Sequence, residues 1–491
     1  MKYLQKISAL LIAISLYSCG NEEVDIVSQI DSYPAIYPDY IGVTVPVNIC
    51  PLNFDLQSYE YQKLDVTISC GNDELHYQNN GAIEIDENKW HKLLANHTMD
   101  SIKVEVAVKI DDNWYGLKPF HFFVDSSKLD YSIVYRRIAP AYGVFSDIGI
   151  YQREISSFKE SNIINSNQLQ NACMNCHAFN RTNPDNMLLH IRGEISGTIY
   201  KNNDTAEIYI TKTDSTLNNF AYSYYHPNGR YIASSMNTTR QVFRTGHYQR
   251  LDVFDYQADI AVYDRLTSEI LPAPHIKTNE FYEDFPVFSA DGKKIYFSRC
   301  KLDKLPENFQ KLKFDLCSVD FDEETRTIGK EITTVINAKS MNLSATEPRP
   351  SYDGKYIMFC MMEYGDFAIW HRKSDLWIYD IEKDTSYCLT AANSTESEAY
   401  HSWSKDNKWF VFTSRRGDAL YTQLYFAKMN PDGTCTKPFL LPQRNPKVYQ
   451  DENTHSFNCP EFCSKPLPLN KSEIFEMAYS KERKHVKFLT E

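Results

Sequence analysis

One local pattern recurs four times in the second half of this chain, and it constrains the fold more than any other feature. It reads Tyr225-His-Pro-Asn-Gly-Arg-Tyr-Ile-Ala-Ser234, then Pro286-Val-Phe-Ser-Ala-Asp-Gly-Lys-Lys-Ile-Tyr-Phe-Ser298. It returns as Pro348-Arg-Pro-Ser-Tyr-Asp-Gly-Lys-Tyr-Ile-Met-Phe-Cys360 and Ser402-Trp-Ser-Lys-Asp-Asn-Lys-Trp-Phe-Val-Phe-Thr-Ser414. Each copy is a strand, a tight turn with Asp-Gly, Asn-Gly or Asp-Asn, and a second strand of alternating apolar residues. A third strand follows each: Asp259-Ile-Ala-Val-Tyr-Asp264, Asp315-Leu-Cys-Ser-Val-Asp320, Asp375-Leu-Trp-Ile-Tyr-Asp380 and Gln423-Leu-Tyr-Phe-Ala-Lys428. A period of roughly 50–63 residues holding four strands is the sequence mark of a propeller blade.

Ala206–Ile210 reads as part of an earlier unit and Glu473–Tyr479 as part of a last one. At about 50 residues per unit, 196–491 then accommodates about six blades. The chain carries 34 Tyr, 27 Phe and 6 Trp but only 17 Gly, and lacks long helical periodicity, which points to an all-β protein. Ahead of the repeats, Ile41–Ile49, Leu64–Ser69, Ile102–Ile110 and Pro119–Val124 alternate with period two between turn signals. That predicts a β-sandwich within 19–135, with Cys50 and Cys70 close enough in sequence to pair.

The Ser-x-Asp-Gly-Lys-x-Ile-x-Phe-x-Ser pattern resembles TolB-type, WD40-like propeller repeats over roughly residues 200–480. His226 stands where the repeat has serine, and Asp406-Asn407 where it has Asp-Gly. The resemblance implies a propeller that docks a partner at the end of its channel. Glu398, His401 and Arg415 occupy the unit equivalent to those lining such channels.

Between sandwich and repeats, 136–195 reads as a polar linker, and it contains Cys173-Met-Asn-Cys176-His177. Two cysteines spaced C-x-x-C reach one edge of a haem as thioethers, and the following histidine reaches the iron. The spacing therefore predicts one covalent haem c on Cys173 and Cys176 with His177 as axial ligand. A redox dithiol, a zinc site completed by His190, or a simple disulfide are the rival readings. The second axial ligand lies in Asn186-Met-Leu-Leu-His-Ile-Arg-Gly193, as His190 or Met187, and Arg192 is a candidate partner for a haem propionate. The stretch also resembles a group of Bacteroidetes lipoproteins that join such a motif to TolB-like repeats; that resemblance favours His190.

At the N-terminus, Lys2 and Lys6 precede an apolar stretch, Ile7–Tyr17, too short to span a bilayer, and Leu16-Tyr-Ser-Cys19 resembles a lipobox. Residues 1–18 are expected to be a signal peptide and Cys19 the lipidated first residue. The acidic run after it resembles a surface-export signal. The expected location is the cell envelope, at the outer membrane. Net charge is −12 with no basic cluster, which argues against nucleic acid. No G-x-S-x-G elbow, H-E-x-x-H or phosphate loop appears. The sequence reading is thus a lipid-anchored haem protein for electron transfer or sensing, rather than a catalyst. The alternative is a non-enzymatic binding module for a protein, peptide or glycan, in which C-x-x-C-H is structural.

Overall fold

The computed structural model describes residues 22–57, 60–139, 147–243, 251–489; Cys19 and the expected signal peptide lie outside them. Among the described residues the fold is all-β, with three short α-helices. Among the described residues, no helix is long and apolar enough to cross a membrane.

Six sheets follow the repeat. The first is Met174–Asn180, Asn183–Ile191, Gly197–Asn202 and Thr205–Ile210; the second is Ala221–Tyr225, Tyr231–Phe243, Leu251–Asp264 and Glu269–Ile270. The third leads with Phe281–Phe288, the fourth with Ser344–Pro350 and the fifth with Glu398–Trp403. The sixth joins distant parts of the chain: Ser456–Cys463 pairs with Ser132–Ile138, followed by Ile148–Glu154 and Glu160–Asn165. Leading strands of successive sheets pack on each other, and the strand at Ser456–Cys463 also packs on the one at Met174–Asn180. Side chains from adjacent sheets interdigitate in continuous apolar clusters.

The repeat signature works as local hydrogen bonding. Ser289 Oγ donates to Asp291 Oδ1 at 2.6 Å and accepts the Lys294 N–H at 2.9 Å. Gly292 N–H returns to the Ser289 carbonyl, and Gly292 sits at φ +77°. The same set recurs at Ser351/Asp353/Gly354 and Ser404/Asp406/Asn407. Asn407 serves at φ 59° because its short polar side chain tolerates the left-handed region. His226 replaces the serine by a longer reach: its Nδ1 accepts the Asn228 N–H at 3.2 Å, and its Nε2 meets the Gly292 carbonyl of the next repeat at 3.0 Å. Donation to a carbonyl puts the ring proton on Nε2.

Three expectations change here. The described residues of 136–195 contribute strands to the sixth and first sheets rather than a linker; Ile150, Ile164, Met187 and Leu189, with Val134, fill one core between the two sheets. Glu473–Tyr479 belongs to the helix Lys471–Tyr479, capped reciprocally by Asn470 and Glu473, with Ile474 and Ala478 buried one turn apart. Among the described residues the N-terminal unit is a seven-stranded sheet with a small two-stranded one, Ile36–Tyr37 paired with Asp55–Leu56, rather than two large facing sheets. Its second layer is the helix Glu87–Asn96, which buries Trp90, Leu93 and Leu94. This unit shares a core with Trp409, Val411, Leu424 and Phe426 of the fifth sheet, and Trp409 Nε1 donates to Ser127 Oγ at 2.7 Å. Cys50 and Cys70 are not bridged.

Candidate functional site

Each leading strand breaks its register: between Met174 and Cys176 and again between Phe179 and Asn180 in the first, and between Ala221 and Tyr224, Asp284 and Val287, Thr346 and Arg349, and Ala399 and Ser402 in the next four. The sixth does so opposite Val134 and Arg136. At five of these breaks a non-glycine residue has positive φ: Tyr222 (47°), Phe285 (52°), Glu347 (53°), Tyr400 (44°) and Cys459 (50°). An extra residue of this kind re-aims a side chain out of the pleat. All five line one cavity of about 50 Å³ where the leading strands converge, together with His177, Arg349, His401 and Glu461.

The cavity is lined by ionisable groups whose proton affinities are shifted by burial. Burial raises the Glu347 carboxyl to about 7 against the smaller opposing effects of the Tyr400 N–H, at 3.0 Å, and Arg349. Glu461 keeps part of its surface open to the cavity, yet lies deep enough for burial to raise it to about 7 as well; Arg349 and the Phe179 N–H, at 3.0 Å, oppose that rise. His401 is held neutral, down to about 3, by burial. Its Nε2 donates to the Met358 carbonyl at 3.0 Å, which leaves Nδ1 facing the Cys360 thiol at 3.8 Å. Burial lowers His177 to about 4. Neither of its ring nitrogens makes a hydrogen bond of normal geometry, although the Val134 backbone is near enough to favour the protonated ring slightly.

The C-M-N-C-H stretch lies in the leading strand of the first sheet. Cys176 pairs with His190, His177 with Leu189 and Phe179 with Met187. Neighbouring strand residues stand on opposite faces. His177 therefore faces the cavity and the sixth sheet, whereas His190 faces away, bonded through Nδ1 to Thr198 Oγ1 at 2.9 Å. Burial lowers His190 to about 3. Met187 shares the face of His177 but is packed in the core with Met174 and Leu189. Arg192 is half-buried, and its N–H closes the hairpin on the Cys173 carbonyl at 2.8 Å. The Cys176 side chain lies outside the described atoms.

In this arrangement His177 and His190 do not fit one haem iron. Two axial ligands must approach one iron from opposite sides, and here the hairpin itself separates His177 from His190. The cavity beside His177 has room for a few water molecules, not a macrocycle. Pairing His190 with His177 on one iron is thus corrected by the strand register, and Met187 as the second ligand is corrected by its place in the core. Of the three residues suggested by the repeat resemblance, only His401 reaches the cavity. Glu398 is fully buried among Ser394, Ser414 and Arg416, and the Arg415 guanidinium lies over the Trp370 ring. Glu347, Arg349 and Glu461 were not singled out from sequence. A usable signal exists: in the four repeats the strained residue lies four positions before the turn Ser or His, and Pro follows Phe285, Glu347 and Cys459. Proline has no N–H to leave unpaired at a bulge.

No protein-family model matches the chain, and no curated protein matches it. Among solved structures it is similar to TolB from Acinetobacter baumannii, at 12% identity and TM-score 0.42, covering 77% of this chain and 85% of that one. It is also similar to an oligogalacturonate lyase in complex with manganese, at 12% identity and TM-score 0.35, covering 62% and 73%. A third is dipeptidyl peptidase 4 from Porphyromonas gingivalis, at 9% identity and TM-score 0.27, covering 68% and 50%. These are likenesses of repeat architecture alone.

Proposed function

We propose that this chain is a binding protein of the cell envelope, anchored by a lipid on Cys19 and built as a closed six-bladed TolB-like propeller. Its axial cavity receives the amine-bearing end of a peptide. One observation carries the reading: five residues in a strained backbone conformation, one from each of five leading strands, aim at the same cavity. Positive φ at Tyr, Phe and Glu is costly and persists where the surroundings enforce it, commonly at ligand sites.

The chemistry of the lining selects the ligand. Glu347 and Glu461 are uncomfortable as anions because water is excluded. An ammonium group restores the missing counter-charge, so binding draws both carboxyls into the ionised form and releases protons. Arg349 can then meet a carbonyl of the same ligand, while Tyr222 and Tyr400 supply apolar walls with hydroxyl tips. In this reading C-x-x-C-H is a structural strand. His177 lends the cavity a neutral ring with open hydrogen-bonding capacity.

The test is calorimetry of the mature chain with short peptides bearing free or acetylated N-termini. Free termini should bind at least ~10-fold more tightly, and affinity should rise from pH 6 to pH 8 as the carboxyls ionise. Glu461→Gln should weaken binding and flatten that rise. Equal binding of acetylated peptides, or a flat pH profile, would sink the proposal.

A second reading, a covalent haem c on Cys173 and Cys176 for electron transfer, is favoured by the open ring nitrogens of His177. It requires residues 174–180 to leave their strand. Intact mass after expression with haem-c maturation machinery distinguishes the two. A haem adduct that is lost in Cys176→Ser would establish the second reading and remove the first.

A further inference from the structure

Three aspartates from three different sheets meet outside the axial cavity. Asp255 comes from the third strand of the second sheet, Asp284 from the leading strand of the third, and Asp366 from the loop after the strand Tyr356–Met362 of the fourth. They offer carboxylate oxygens within 4.8 Å of one another, and each is at most 2% exposed. Asp284 Oδ1 accepts the Phe285 N–H at 2.8 Å, but Asp255 Oδ1 and Asp366 Oδ2 have no partner. Arg192 lowers Asp255 only weakly, after the effects of burial, Asp284, Thr239 and Asn237.

Packing three carboxyls together in a dry site drives their proton affinities up. Asp255 rises to about 8 and Asp284 to about 6, burial being the largest cause in each, and Asp366 rises well above the ordinary carboxyl range. Shared protons alone could relieve that repulsion, but they leave a second fact unexplained. Asn237, 5% exposed, sits between Asp255 and Asp284 and gives its amide nitrogen to both. Its carbonyl oxygen, also buried, has no partner. In the orientation described, protons on the neighbouring carboxyls do not reach that oxygen, because the amide nitrogen is the atom turned toward them. Turned about its last torsion, the amide brings a seventh oxygen to the six of the aspartates.

We infer that Asp255, Asp284, Asp366 and Asn237 form a binding site for one calcium ion, which ties the second, third and fourth sheets together beside the axial cavity. The donor set is all oxygen, which suits a hard cation and not zinc or copper. Up to seven oxygens from four irregularly placed side chains suit the flexible shell of calcium better than the strict octahedron of magnesium. Asp284 adjoins Phe285, which lines the cavity, and Phe367 next to Asp366 packs on Phe285. The ion would thereby fix one wall of the ligand site. The inference does not depend on the proposed ligand.

The experiment uses the mature chain. Metal content is measured by mass spectrometry as purified; the protein is then stripped with EDTA and titrated with calcium chloride, following heat and melting temperature. One calcium per chain and a rise in Tm of several degrees are expected. Asp366→Asn should lose the calcium response, with affinity down by about 100-fold or more. In EDTA it should melt no lower than the wild type, because without the ion this carboxyl is already held in its protonated, uncharged form. Asn237→Ala, which changes no charge, should weaken calcium binding as well and serves if Asp366→Asn does not fold. A wild type without bound metal and without any response to calcium overturns the inference. So does a response unchanged in both variants, which would point elsewhere, for example to Cys70, His97 and Asp100.

Discussion

Replacing Gly292 by alanine tests how successive repeats are locked together. Gly292 has φ +77°, and a Cβ built there stands 2.5 Å from His226 Cε1 and nearer still to Nε2. His226 cannot step aside: it is 2% exposed and walled by Phe288 at 4.8 Å, Phe321 at 5.6 Å and Tyr231 at 5.7 Å. Alanine in the left-handed region costs roughly 1–2 kcal/mol. Overpacking against a fixed ring adds about 1–3 kcal/mol, so Gly292→Ala should lose about 2–5 kcal/mol. Gly354→Ala is the control. It has the same strain at φ +73°, but its Cβ meets only Ala290 Cβ at 3.4 Å, in ordinary contact. The assay is urea unfolding by near-ultraviolet circular dichroism on both variants and on each combined with His226→Ser, which restores the serine of the other repeats. In the serine background Gly292→Ala should fall to the cost of its control, a coupling of about 1–3 kcal/mol. Equal costs for the two glycine variants in the histidine background would refute the argument.

Two further outcomes follow from the same structure. His190 is lowered to about 3 when folded, so the unfolded chain takes up a proton first as pH falls below 6.5 and stability drains away down to the folded value. His190→Asn should therefore gain on the wild type by about 1.4 kcal/mol per pH unit below 6.5; a difference in urea midpoint that is the same at pH 7 and pH 4.5 would contradict this. Ser351→Ala removes a buried hydroxyl that donates to Asp353 at 2.6 Å and accepts the Tyr356 N–H at 3.0 Å. A loss of about 1–3 kcal/mol is expected in the same unfolding assay, and no loss would mean that the turn is held by other contacts.

What could be read from sequence was what is local. The turns at His226, Ser289, Ser351 and Ser404 announce themselves because serine, aspartate and glycine form their hydrogen bonds within six residues. The first sheet turns through Arg181 at φ 59° with no Asp-Gly signal, and so its strands read as a linker in the sequence. In the sixth sheet the leading strand and its neighbour are joined by no turn at all, since Ser132 pairs with Cys463. The segment Glu473–Tyr479 alternates like a strand, yet the Asn470/Glu473 capping pair was the better guide. The haem motif was legible as a spacing, but spacing does not fix which face of a sheet a histidine occupies; the register with Asn183–Ile191 does. The cavity residues stayed hidden because burial and convergence are properties of the assembled sheets. Only the proline after three of the strained residues leaves a trace in the chain.

The C-terminal segment does more than complete one sheet. After Ser456–Cys463 it lays Lys484–His485 along the edge of the first sheet and Lys487–Phe488 along that of the second. Until this last stretch has been synthesised, the N-terminal strands of the sixth sheet have an unsatisfied margin. Such margins recruit other chains. Maturation must therefore keep nearly the whole polypeptide from premature association until its tail arrives. A nascent chain cut short before residue 456 is a candidate for quality-control degradation, not a smaller working protein.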